Sequence, residues 1–129
     1  MRSVEVPSSV IAINQGNGQF EITKLPPQSQ LSCICGIACA DINNDGNLDL
    51  VMGGNNFEFK PQYSRLDASY GNVLINKGDM QFEWQSYDKS GFFVKEEIKH
   101  LDLMRDKNGN TFIISAINNA EPRVFKVNE

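Results

Sequence analysis

An all-β fold follows from three features of the sequence. Apolar and polar residues alternate at period two in short runs, as in Phe20-Glu21-Ile22-Thr23-Lys24-Leu25, and clusters of Gly, Asn and Pro separate the runs. A hairpin is written twice: Ile11-Ala12-Ile13-Asn14-Gln15-Gly16 with Gln19-Phe20-Glu21-Ile22 returns as Val73-Leu74-Ile75-Asn76-Lys77-Gly78 with Gln81-Phe82-Glu83-Trp84. Ile13 and Ile75, like Phe20 and Phe82, stand 62 positions apart. No segment carries a helix period.

In chain order, Ser9–Asn14 and Phe20–Leu25 form the first hairpin, around a turn at Gln15-Gly16-Asn17-Gly18. Pro26-Pro27-Gln28-Ser29-Gln30 breaks the pattern and reads as an exposed connector. Gly36-Ile37-Ala38-Cys39-Ala40 and Leu48-Asp49-Leu50-Val51-Met52 then read as buried strands on either side of a polar loop. A longer polar and aromatic loop, Phe57 to Gly71, precedes the repeated hairpin. Glu97–Met104 and Thr111–Asn119 repeat the strand pair around the polar loop, and Arg123–Val127 begins a further strand.

The loop between the buried strands, Asp41-Ile42-Asn43-Asn44-Asp45-Gly46-Asn47-Leu48-Asp49, is the most informative stretch. Oxygen-bearing side chains recur at Asp41, Asn43, Asp45 and Asp49, and a glycine at Gly46 permits a sharp turn. Calcium takes six to eight oxygen ligands, and a loop of this pattern offers its first, third, fifth and ninth side chains and the carbonyl of its seventh residue, here Asn47. An EF-hand is excluded, because it needs Glu at position 12, where Met52 stands, and helices on both sides.

Ala40–Gly53 resembles the FG-GAP repeat, also called the VCBS-type repeat, whose D-x-[ND]-x-D-G-x-x-D-[LI] loop joins the first two strands of a β-propeller blade, as in integrin α-subunits. The resemblance implies Ca2+ as a structural ion held by Asp41, Asn43, Asp45, Asn47 and Asp49. The third position is Asn, which removes one negative charge. Together with the four-strand repeat it implies an all-β chain of two antiparallel four-stranded blades, one complete and the others partial. The expected units of a single propeller fragment spanning 1–129 are an outer hairpin at 8–30, a complete blade with the calcium loop at 36–87 and a degenerate terminal blade at 97–127. In the last, Asp102–Asn110 reads as a decayed copy of the loop, with Met104 in the third ligand position and a type I′ turn at Asn108-Gly109.

Composition narrows the function. A net charge of -4 argues against a nucleic-acid partner, which requires clustered Lys and Arg. No apolar run reaches the roughly 20 residues of a membrane-spanning helix. The start, Met1–Pro7, lacks the apolar core of a signal peptide, so either the protein is cytosolic or the exported or cell-surface location implied by the resemblance rests on a signal further upstream. Cys33, Cys35 and Cys39 lie within seven residues and read as packed strand or loop thiols. With one histidine, His100, and no nucleophile signature, nothing selects a catalytic set.

The leading expectation is therefore a non-catalytic, calcium-stabilised module that binds a protein or a glycan. Its alternatives are the propeller portion of a larger carbohydrate-active enzyme and a lectin-like sugar binder. Tyr63, Arg65, Asp67 and Tyr70, in the long loop, are the candidate ligand-contacting surface; Arg65 and Asp67 could equally pair with each other. Two blades are too few to close a ring, which implies a terminal piece of a larger propeller or a homo-oligomer through open blade edges.

Overall fold

The structure is a computed structural model that describes residues 8–58 and 64–127. It is all-β, with three antiparallel sheets of two, four and three strands, none closed into a barrel. The first is a hairpin of β1 (Val10–Gly16) and β2 (Gln19–Lys24). The second runs in the order β3 (Ile34–Ala40), β4 (Asp49–Gly54), β5 (Asn72–Asn76), β6 (Phe82–Gln85). The third is β7 (Ile98–Arg105), β8 (Thr111–Ile117) and β9 (Arg123–Lys126). Only the middle sheet has four strands; the third has three among the described residues. Among those residues no helix is long and apolar enough to cross a membrane.

The four-stranded sheet is the middle layer, and side-chain alternation gives each of its faces a core. Val51, Val73 and Ile75 point one way, into a cluster with Ala38, Phe92, Val94, Ile98, Leu101 and Ile113. Met52 and Leu74 point the other way and pack with Leu25, Ile11, Phe82 and Trp84. This is why β5, Asn-Val-Leu-Ile-Asn, is buried at every position. The close approach of the third sheet depends on Gly36, where a Cβ would lie 2.7 Å from the backbone nitrogen of Leu101.

The two hairpins written 62 positions apart share one register. Asn14 faces Phe20 as Asn76 faces Phe82, Ile13 faces Glu21 as Ile75 faces Glu83, and Ala12 faces Ile22 as Leu74 faces Trp84. In each, the asparagine side chain accepts an N–H bond from the glycine two residues on, Gly16 at 2.9 Å and Gly78 at 3.1 Å. The inner strand pairs also correspond. β3 carries a bulge between Ile34 and Gly36 opposite Gly54 and Gly53, and β7 carries one between Ile98 and His100 opposite Ile117 and Ala116.

Several local expectations need correction. Ser29, in the connector, is buried and donates its hydroxyl to the Pro26 carbonyl at 2.7 Å, because Pro27–Gln30 winds into a 3-10 turn tucked under the hairpin. A four-residue helix, α1 (Tyr87–Ser90), follows β6; it ends at Gly91, whose N–H bonds the Tyr87 carbonyl. Cys35 and Cys39 are exposed rather than packed, since on β3 the small residues Gly36, Ala38 and Ala40 take the covered face. Asp102 lies inside β7, opposite Ile114, so it does not begin a loop. The connection from β7 to β8 is the shorter Asp106–Asn110. There the Gly109 N–H bonds the Asp106 carbonyl, and Gly109 alone of the turn has positive φ, so the turn is not type I′, which needs two such residues.

Candidate functional site

The loop from Asp41 to Leu48 leaves β3 at Ala40 and re-enters the same sheet at Asp49, which pairs with Ala40. Its polar side chains turn inward onto the loop's own amides. Asp41 accepts from the Asp45 N–H at 3.1 Å and the Gly46 N–H at 2.9 Å, one bond on each carboxylate oxygen. Asn43 Oδ1 accepts from the same Asp45 N–H at 3.2 Å, which brings the oxygens of the first and third positions onto one point. Asp45 Oδ1 accepts from the Asn47 N–H at 2.8 Å and Asn47 Nδ2 at 3.0 Å, and its Oδ2 from Asn43 Nδ2 at 2.9 Å. These donors, the Asn47 amide foremost and then Asn43, hold the Asp45 carboxyl below the usual carboxylate range. Gly46 has φ +88° and carries the reversal.

Asp49 does something different. It is fully buried, and its two oxygens accept from the Ile42 N–H at 2.9 Å and the Asn76 N–H at 2.8 Å. Asn76 in turn donates Nδ2 to the Leu48 carbonyl at 3.2 Å. The ninth position therefore latches the start of the loop to the ends of β4 and β5.

Among the described residues no three His, Cys, Asp or Glu side chains form a group able to hold a metal ion as they stand. The donor chemistry of Asp41, Asn43 and Asp45 nevertheless fits a hard cation: all present oxygen, they surround one cluster of amides, and an oxygen that accepts a single N–H retains a second lone pair. Asp49, with one N–H on each oxygen, keeps the same capacity and is the buried member of the set.

The expected ligand surface is only partly described. Tyr63 lies outside the described residues. Arg65 and Asp67 pair with each other at 3.3 Å, both well exposed, and the Arg65 guanidinium also stands 4.9 Å over the Phe57 ring. Tyr70 turns away from them into an aromatic group. Its ring stacks on Phe93 at 5.3 Å and meets Tyr87 edge-on at 5.8 Å, and Tyr87 leans on Trp84. Tyr70 and Phe93 remain partly exposed, 37% and 40%.

Two polar centres escaped the reading of the sequence. Asn55, fully buried with φ +101°, donates Nδ2 to the carbonyl of Ser69 at 2.7 Å and lies within 3.2 Å of that of Lys95, while its Oδ1 accepts from the Ser69 N–H at 3.1 Å. It ties β4, the long loop and the approach to β7 together. Glu97, also buried, pairs with Lys99 at 2.7 Å and accepts from Asn118 Nδ2 at 2.8 Å. Lys99, then Asn118, outweigh burial and keep its carboxyl below the usual range. The one available signal was positional, since Asn118 stands 63 positions after Asn55. Comparison of the chain with protein-family models, with curated proteins and with solved structures finds no match.

Proposed function

We propose that the chain is a non-catalytic, calcium-binding module of β-propeller type in which the ion is structural and the surface engages a protein or a glycan. The observation that carries this reading is the inward set of Asp41, Asn43 and Asp45 around the amides of residues 45–47, in a connection between two neighbouring strands. When bound, calcium would neutralise those carboxylates and fix the strand connection. The shared hairpin register and the recurring bulge support successive blades of one design. The half-exposed Tyr70 and Phe93 rings, with α1 behind them, are the surface best suited to a partner, through stacking on an apolar or sugar face. Among the described residues each sheet also ends in strands with one unpaired edge, which suits either further blades or a second copy. The resemblance of the loop motif is the support for a location outside the cell, in the periplasm or at the cell surface.

Thermal unfolding with and without calcium tests the loop. A ligand that binds only the folded state adds about 3 kcal/mol at a hundredfold excess over its Kd. The wild-type protein should therefore melt several degrees higher in calcium than in chelator. Asp45→Ala should melt at one temperature in both, because it removes an exposed ligand without touching the buried latch. An undiminished calcium response in that variant would remove the loop from the reading.

A further inference from the structure

The two β-bulges do the same thing with different chemistry. In β7 the bulge residue is Lys99, and its side chain meets that of Glu97, the residue just ahead of the strand, at 2.7 Å. Sixty-four positions earlier in the sequence the same two places hold Cys33 and Cys35, and across the β3 bulge their sulfurs lie 3.9 Å apart. Side chains i and i+2 of a strand share one face, and at the bulge the strand bends and the extra residue is left unpaired. Where the third sheet uses that contact for an ion pair, the middle sheet holds two thiols.

We propose that Cys33 and Cys35 form a redox-active dithiol, closing reversibly to an intramolecular disulfide by exchange with a small-molecule disulfide such as oxidised glutathione. Cys35 is exposed and Cys33 half-buried, so Cys35 is the sulfur an incoming disulfide reaches first. Its thiolate attacks one sulfur of the oxidant, forms a mixed disulfide and releases one glutathione thiol. The Cys33 thiolate then attacks the Cys35 sulfur and releases the second. Two protein thiols lose two protons and two electrons, and the oxidant is reduced to two thiols. Cys39 takes no part: it lies four residues further along β3, about 13 Å away at strand rise, well past the reach of a disulfide. Burial and the neighbouring Cys33 both raise the Cys35 thiol above its ordinary range, so exchange quickens as the solution becomes alkaline. A ring closed over one intervening residue is constrained, which keeps the bond easily reduced. None of this depends on calcium.

The test uses the full chain, reduced and then incubated with oxidised glutathione at mildly alkaline pH, followed by thiol titration in denaturant and intact mass. Cys33 and Cys35 should be joined within a monomer, while the exposed Cys39, with no second thiol in reach to close on, is left free or carries one glutathione. Cys39→Ser, which leaves the pair intact, should lose every titratable thiol, again as a monomer, and recover both on reduction. Cys35→Ser should form no intramolecular bond. Three thiols persisting in the wild-type protein, a lasting glutathione adduct on Cys35, or a cross-linked dimer as the main product would each overturn the proposal.

Discussion

Asp49→Ala is expected to lower stability by about 3–5 kcal/mol, a large part of the 5–15 kcal/mol typical of a domain. The carboxylate is wholly buried and is the acceptor for the amides of Ile42 and Asn76. Its removal strands two backbone donors, one in the loop and one at the end of β5, each at a cost of about 1–3 kcal/mol, and leaves a small void besides. Asp49→Asn keeps one oxygen but presents an NH2 group to the other amide, and should fall between the two. Urea denaturation in chelator isolates this structural role from any metal effect. A midpoint for Asp49→Ala within about 1 kcal/mol of wild type would mean that water replaces the carboxylate, and the latch would be lost as an explanation for how β4, β5 and the loop are held together.

Gly54→Ala is expected to be more damaging still. A Cβ on Gly54 would lie 1.8 Å from the Cys33 carbonyl oxygen and 2.7 Å from its carbonyl carbon. Both are backbone atoms of the residue just ahead of β3, so no side-chain rotation relieves the clash. β3 and β4 would have to part where Ile34 faces Gly54, and the Asn55 bonds that begin at the next residue would part with them. A loss above about 4 kcal/mol places the variant among the few single changes that unfold a domain. Near-ultraviolet circular dichroism should show no fixed tertiary signal. Gly78→Ala is the control: its Cβ would meet nothing, and the positive φ of +96° alone should cost about 1 kcal/mol. If both variants keep a native spectrum, the tight approach of β3 to β4 is not what the fold rests on.

Much of the architecture was legible because its signals are local. Alternation marked the strands, and the repeated Asn-x-Gly and Phe-Glu pairs marked two hairpins of one register. Most of the misses share a cause: they depend on partners distant in sequence. Gly36, Ala38 and Ala40 could be recognised as the covered face of β3 only once β7 lay against it, and the cysteines were misjudged for that reason. Asp102 was equated with Asp41 by residue type, whereas pairing places Met104 opposite Phe112 as the counterpart of Ala40 opposite Asp49. Helix α1, at four residues, is too short to carry a period. The Asp41–Asp49 loop is the most instructive case. Asp and Asn close turns on backbone amides with the same oxygens that they offer to a cation, so residue types and spacing alone do not separate the two roles.

Isothermal titration of calcium into the metal-stripped chain tests the central claim most directly. Saturable heat from one ion per chain, lost in Asp45→Ala while that variant keeps its circular dichroism spectrum, is the expected result. A flat titration of folded wild-type protein at millimolar calcium would contradict it and leave the loop as a turn closed by its own amides.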